Sequence, residues 1–419
     1  MVAQFADERE RVAQAVLREF DGLWGGLTEA ESGQEVESRV LAWTRQVGRV
    51  VLGAVLQAKI EAREREVPNC CGQPMWEHSR QLRTVLTMLG PVTVRRRYYC
   101  CRGCGQHLMP VDAWLGWRGG FSFPVEELVA WECSALPYRE ALESLKKLAG
   151  LELSLHAAED IVARWGGQEL QPAPYGERVK DSLVVEIDGT TAHLEDGWRE
   201  VKVGTFFSWD RTNPQPKPEA VSYVADWRSA AEFAEPLWRE ALARGAPTAR
   251  EVAAIGDGAP WIWEMANTLF PRAVEILDWY HACEHLWEAA KVVHGEKSPE
   301  TTMLVERWKG ALWEGHSEGL EEEIRELART VRDPEKVLRK TADYLQTHQH
   351  RLRYPQFRAA GWPIGSGVVE GGCKHVIGLR FKRKSTRWTK LGARAVLHLR
   401  LDRLNGRWEN RIQHLRLAA

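Results

Sequence analysis

Between residues 182 and 277, five short runs rich in β-branched residues follow one another, at 182–187, 200–208, 220–224, 251–255 and 273–277. Helical stretches at 229–244, 259–269 and 279–294 interleave only with the last of them. Three strands in a row followed by alternating helix and strand is the order of a layered α/β domain. At 44% hydrophobic and 27% charged residues, the chain has the composition of a globular protein able to bury real cores. Its 419 residues leave room for more than this one domain.

The rest of the chain divides by pattern. Residues 1–66 read as a helical arm, with a 3–4-spaced apolar stripe through Val40, Leu41, Val47, Val51 and Val55, and are a candidate for dimerisation. Residues 67–112 carry a β pattern, with strands at 83–89 and 92–99 around a turn at Gly90-Pro91. Residues 113–170 are helical again. There Gly150 breaks one helix and Ser154 is placed to cap the next, so the pair is a candidate helix-turn-helix, although any two packed helices share the pattern. A linker is expected at 171–176. A Glu-rich all-α insertion at 298–361 interrupts the α/β core of 177–297, which resumes with basic helices over 362–419.

Three carboxylates occupy informative places. Asp188 is expected to end the first strand, in Val184-Val185-Glu186-Ile187-Asp188-Gly189-Thr190, and Asp257 to end the fourth, in Gly256-Asp257-Gly258. A carboxylate past a strand, with glycine beside it, sits at the open edge of a sheet where substrates bind. Glu370 lies in Gly365-Ser366-Gly367-Val368-Val369-Glu370-Gly371, at the start of a late helix. A lone Asp in such a place is as readily a cap; carboxylates gathered this way repel unless cations lie between them, and two Mg²⁺ would serve. Asp278, His281 and His285 follow the fifth strand at spacings of three and four, which share a helix face. A metal site from His281, Cys283 and His285 would need Cys283 to turn toward that face, so Asp278 and His281 are expected to support the active site instead.

Five of the eight cysteines, Cys70, Cys71, Cys100, Cys101 and Cys104, crowd into 35 positions. In a long chain without a signal-peptide pattern such a cluster points to zinc rather than to disulfides. Cys101-x-x-Cys104-Gly105 is one knuckle of a zinc ribbon. The other half is irregular, because Cys70 and Cys71 are adjacent; His78 is an alternative ligand, and buried free thiols are the alternative to zinc altogether.

The whole-chain charge is nearly balanced, with 57 Lys and Arg against 58 Asp and Glu. That balance conceals a polarity. Residues 364–411 carry twelve Lys and Arg against Glu370, Asp402 and Glu409. Within them Lys374, Arg380, Lys382, Arg383, Lys384 and Arg387 are candidates to grip phosphate and Trp388 to stack on a base. Arg95, Arg96 and Arg97 form a second basic cluster in the hairpin. No run approaches the roughly 20 apolar residues of a membrane span, so a cytoplasmic protein is expected.

Asp-Gly-Thr at 188–190, Gly-Asp-Gly at 256–258, Asp-x-x-His at 278–281 and Gly-Ser-Gly-Val-Val-Glu-Gly at 365–371 together resemble the DDE transposases of bacterial insertion sequences. The likeness is to the ISKra-type group, akin to Mutator-like elements, and covers roughly residues 67–412. It implies an RNase H-like catalytic domain with an all-α insertion, preceded by helical segments and a zinc-ribbon-like β-hairpin. It also implies that Asp188, Asp257 and Glu370 bind two Mg²⁺ or Mn²⁺ ions. The partners implied are double-stranded DNA (terminal inverted repeats and target) and further copies of the chain, as a homodimer or larger, with nucleoid association when DNA is bound. In one respect the chain departs from the group: the first knuckle there commonly reads Cys-Pro-x-Cys-Gly, whereas Asn69-Cys70-Cys71-Gly72 makes Cys71 the better-matched zinc ligand and Cys70 the weaker.

The expected activity is therefore cleavage at element ends and strand transfer. A metal-dependent nuclease that joins nothing, and a zinc-containing DNA-binding protein that has lost catalysis, are the alternatives. Two catalytic carboxylates would also suit a glycosidase, which leaves the basic tail unexplained.

Overall fold

A computed structural model describes residues 4–172, 182–333, 336–383 and 386–417; Lys384 and residues 173–176 of the expected linker lie outside them. The chain divides into two compact units, Met1–Trp165 with Ile412–Ala419, and Gly166–Arg411.

The first unit opens with two helices, α1 (Gln4–Thr28) and α2 (Gly33–Arg63). Ser32 caps the second by accepting the Glu35 N–H at 3.2 Å, and Phe20 holds the two together through Trp43. Two short strands follow, β1 (Asn69–Cys70) and β2 (Gln73–Pro74). The long β3 (Trp76–Thr87) and β4 (Gly90–Cys100) come next, and β5 (His107–Leu108) completes a sheet of order β3-β4-β5. Alternate residues of a strand face one side, so Val92 and Val94 of β4 meet Ile60 of α2 in a small core with Val111. The turn falls earlier than the Gly90-Pro91 pair suggests. Thr87 pairs with Gly90 across Met88 and Leu89, and the Thr87 hydroxyl donates to the Gly90 carbonyl at 2.7 Å.

Four more helices follow in this unit: α3 (Val111–Leu115), α4 (Phe123–Ala135), α5 (Tyr138–Ala149) and α6 (Leu155–Gly166). Gly150 ends α5 in the left-handed region, and the Ser154 hydroxyl accepts the Ala157 N–H at 3.1 Å, as expected for that break and cap. The buried Glu126 of α4 accepts the Trp165 indole N–H at 3.0 Å and the Arg164 guanidinium at 2.6 Å, which fixes α6 against α4.

The second unit is built on a five-stranded sheet of β6 (Ser182–Leu194), β7 (Gly197–Trp209), β8 (Glu219–Asp226), β9 (Glu251–Gly256) and β10 (Val274–Leu277). The spatial order is β10-β9-β6-β7-β8; β6, β7 and β8 run antiparallel in turn, and β9 and β10 run parallel to β6. Two-sided burial explains the apolar runs of the central strands: Leu183, Val184, Val185, Ile187, Ala253, Ala254 and Ile255 are all buried. Between β8 and β9 lies α7 (Ala230–Ala243), opened by a capping box of Ser229 and Glu232; between β9 and β10 lies α8 (Pro260–Leu269).

After β10 come α9 (Trp279–His294), then α10 (Pro299–Trp313), α11 (Ser317–Thr330), α12 (Val337–Thr347) and α13 (Tyr354–Ala359). The described residues of the Glu-rich stretch are thus mostly helical. Next comes α14 (Gly367–Gly372), which widens into a π-helical stretch over Cys373–Gly378 and ends as α15 (Leu379–Phe381). A Cβ on Gly372 would lie 3.1 Å from Thr205 and 3.2 Å from Tyr223, so the glycine lets α14 lie close on β7 and β8. The widened turn frees carbonyls, and the buried Arg400 of α16 (Lys390–Leu404) donates to those of His375 and Val376. The last helix is α17 (Trp408–Leu417).

Candidate functional site

Parallel register gathers carboxylates at one level of the sheet. Ile187 pairs with Gly256 and Gly256 with Leu277, so Asp188, Asp257 and Asp278 are the next residues on backbones about 4.8 Å apart. Asp188 does not end its strand, as the glycine beside it suggests. It ends the parallel pairing with β9, while β6 continues against β7 to Leu194. That asymmetry leaves Asp188 on a rigid ladder.

Asp188 Oδ1 accepts the Gly189 N–H at 2.6 Å, and Oδ2 accepts the Cys373 thiol at 3.5 Å. Burial pushes the Asp188 carboxyl up, and the negative charge of Asp257 adds to this. Asp257 Oδ1 accepts the Ala259 N–H at 2.9 Å. Among the described residues neither carboxylate is paired with Lys or Arg. Asp278 has a different task. Its Oδ1 accepts the N–H groups of Tyr280 at 3.3 Å and Ser366 at 3.0 Å, and its Oδ2 that of His281 at 3.2 Å. It caps α9 and ties the approach to α14. His281 lies edge-on to His285 at 5.2 Å, with Nδ1 3.4 Å from Glu284. Cys283 is buried, and His281, Cys283 and His285 form no ligand group among the described residues.

Glu370 is exposed on α14, one turn before Cys373, so its helix touches Asp188 through the cysteine. Among the described residues the oxygens of Asp188, Asp257 and Glu370 are not all within 4.8 Å of one another. What holds this helix is a residue not singled out in the sequence. Glu186 is 1% exposed, and its carboxylate accepts the Val369 N–H at 2.6 Å, with Val368 also donating. Burial pushes its pKa up to about 8. Glu186 lies two residues before Asp188 and so faces the same side of β6; a carboxylate inside an apolar strand was the available signal.

The Glu-rich helical stretch also reaches the site. The Tyr344 hydroxyl of α12 donates to the Asp257 carbonyl at 2.9 Å and its ring stacks on His285 at 4.0 Å. Gly258 has φ of +103°, and a Cβ there would lie 2.6 Å from the Tyr344 ring and 3.2 Å from His348 Nε2. Tyr344 and His348 therefore clamp the turn that presents Asp257. Gly258→Ala is expected to cost about 1–3 kcal/mol of stability in urea unfolding, from the left-handed backbone and the clash together. His348, beside Trp263 and 2.9 Å from the Arg351 guanidinium, is held down to about 4 from an ordinary 6.5, chiefly by burial. Between those values the unfolded chain binds the extra proton, so this stability is present above pH 6.5 and is lost toward pH 4. His348→Gln is expected to flatten that acid limb in melting curves recorded from pH 4 to 7.

The basic residues separate into two sets. Lys374, Lys382, Arg383 and Arg387 are exposed, as a phosphate-binding surface needs. Arg380, at 1% exposure, lies 4.6 Å over the ring of Trp388, itself 6% exposed, so the expectation that these two meet DNA is corrected: they pack the core with Phe381. Arg400 and Arg411 are likewise internal, Arg411 held by Asp402, and the half-buried Arg407 is held by Glu240. In the hairpin Arg96 is buried against Asp112 and Arg97 pairs with Glu77 at 3.2 Å, which leaves Arg95 as the exposed member.

In the first unit, the sulfurs of Cys70, Cys71, Cys101 and Cys104 lie within 4.8 Å of one another. Cys70 is 3.9 Å from Cys71 and 3.6 Å from Cys104, so its doubtful place in the set is corrected. The adjacent pair converges because Cys71 and Gly72 both take positive φ, +51° and +75°, which folds the knuckle tightly. His78 lies instead between Trp76 and Tyr98. Backbone N–H groups of Cys104 and Gly103 pull Cys101 down to about 7, so thiolate forms readily there.

The chain is thus a mixed α/β protein with carboxylates aligned on adjacent parallel strands and, in its other unit, a four-cysteine knuckle. It belongs to the uncharacterised protein family UPF0236, whose family model matches residues 27–415. No curated protein matches it. No helix among the described residues is long and apolar enough to cross a membrane.

Proposed function

We propose that this protein is a DDE-type transposase that cuts insertion-sequence ends and joins them to target DNA on an RNase H-like domain. The alignment of Asp188 and Asp257 on neighbouring parallel strands, with the Glu370 helix resting on Asp188 through Cys373, carries the reading. The residues fit hard divalent cations: Asp188 and Asp257 are oxygen donors without a Lys or Arg partner among the described residues. Asp188, Asp257 and Glu370 would hold Mg²⁺ or Mn²⁺, which when bound supplies activation of a nucleophilic oxygen and stabilisation of the leaving one. The chain's own part is placement. Gly189 and Ala259 orient the two aspartates through their N–H groups, Glu186 and Asp278 fix the helix of Glu370, and Tyr344 holds the turn of Asp257. Exposed Lys374, Lys382, Arg383, Arg387 and, in the other unit, Arg95 supply attraction for phosphates.

The four cysteines fit one structural Zn²⁺, and the ribbon and α5–α6 are the parts proposed to recognise terminal repeats. Pairing two ends needs at least a dimer, for which α1 and α2 offer exposed Leu17, Trp24, Leu41 and Val55. The test is incubation of the protein with Mg²⁺, labelled element-end duplex and a target plasmid. Cleaved and joined products are expected. Cleavage without joining would make it a nuclease, and binding without cleavage a DNA-binding protein.

A further inference from the structure

Around the buried Trp388 the described residues of the basic segment pack along β6. Lys382 Nζ donates to Thr190 Oγ1 at 2.5 Å, the Glu195 N–H donates to the Trp388 carbonyl at 2.8 Å, and Lys390 pairs with Asp196 at 2.7 Å. The segment thus follows β6 outward from Asp188 to Leu194, about 20 Å at roughly 3.3 Å per residue. There a cavity of about 330 Å³ opens, lined by Leu194, Trp227 and Leu391 and by the cations Arg199, Lys390 and Arg394 with Asp196; Asp226 and Arg228, paired with each other at 2.9 Å, complete the lining. Arg199 and Lys390 share the single carboxylate of Asp196, whose pKa they hold well below the usual range. Arg394 makes no ion pair among the described residues, and the Trp227 indole N–H is buried without a partner among them. Leu391 is 81% exposed beside them.

We propose that this cavity takes one unpaired nucleotide of a DNA strand, its base against Trp227 and Leu391 and its phosphate on Arg394 and Lys390. The inference rests on the reading that the protein acts on DNA and adds a contact that reading does not contain. The volume is at the small end for ligand sites, which suits a single nucleotide and not a duplex. A bare anion would leave the indole and leucines uncovered, and an uncharged apolar ligand would leave the surplus cations unmatched. A nucleotide satisfies both, as on other single-strand platforms where aromatic rings and cations alternate. At about 3.4 Å of rise per nucleotide, 20 Å places it roughly six nucleotides from the carboxylates.

The experiment uses the full chain in EDTA and compares binding of a dT20 oligonucleotide with binding of a 20-base-pair duplex by fluorescence anisotropy. The rim variants Leu391→Asp and Arg394→Glu leave the core intact; Trp227→Leu removes the ring and Trp227→Phe restores one. Leu391→Asp, Arg394→Glu and Trp227→Leu are each expected to weaken dT20 about tenfold or more and the duplex by less than about threefold, with Trp227→Phe keeping most of the affinity. Unchanged dT20 binding in both rim variants would overturn the nucleotide site and leave the transposase reading standing. Equal losses on both DNAs would also overturn it, as general charge repulsion. Wild-type protein that binds neither DNA would overturn both.

Discussion

Replacing Asp188 by Asn is expected to abolish metal-dependent DNA cleavage, by about a thousandfold or more, while leaving the fold at least as stable. The substitution removes one anionic donor from the proposed cation site. Losing several kcal/mol of charge stabilisation at about 1.36 kcal/mol per tenfold gives that magnitude. Stability is expected to move the other way. Burial and the charge of Asp257 push the Asp188 carboxyl up, so in the metal-free protein its ionised form is the costly one. An asparagine carbonyl can still accept the Gly189 N–H that Asp188 accepts at 2.6 Å. Activity is thus set against stability, as at many functional sites. The measurement pairs a cleavage assay with thermal melts in EDTA. Cleavage equal to wild type would remove Asp188 from the triad, and a large drop in melting temperature would make it structural instead.

Stripping the proposed Zn²⁺ from the cysteine knuckle is expected to unfold residues 67–108 while the sheet of the second unit persists. Four thiolates at about 2.3 Å from one Zn²⁺ lie about 3.8 Å apart in a tetrahedron. The distances of 3.6 and 3.9 Å around Cys70 match that spacing. The apolar cluster at the knuckle is small, Met75, Tyr99 and Cys101 with Cys70 against it, so metal binding would supply much of its folding energy, on the order of 10 kcal/mol. Elemental analysis should find one zinc per chain. A chelator, or Cys101→Ser, should expose this segment to limited proteolysis. A metal-free protein with an unchanged digestion pattern would refute the zinc site.

Much of the candidate site was legible because it depends on local signals. Strand runs broken by glycine located Asp188 and Asp257, and Cys101-x-x-Cys104 located the knuckle. Gly150 and Ser154 act within four residues of themselves, and their roles came out as read. A residue whose role depends on a distant partner carries no such local signal. Glu186 meets Val369 from 183 positions away, and Tyr344 meets Asp257 from 87. The same limit caught the charges: Arg96, Arg380 and Arg411 look like DNA-facing cations until Asp112, Trp388 and Asp402 are found covering them. Charge counts report how many cations a segment holds, not which of them keep contact with water.

The succession of strands and helices, the Asp257 turn and the cysteine spacing are legible locally, since periodicity, turn residues and caps act over one or two turns of chain. Packing in three dimensions puts Asp188 within a strand, brings Cys70 to the knuckle, sets Glu186 and Tyr344 against the candidate site and buries Trp388. Each of those rests on burial and on hydrogen bonds between segments far apart in the chain, and neither exists until the sheet has assembled.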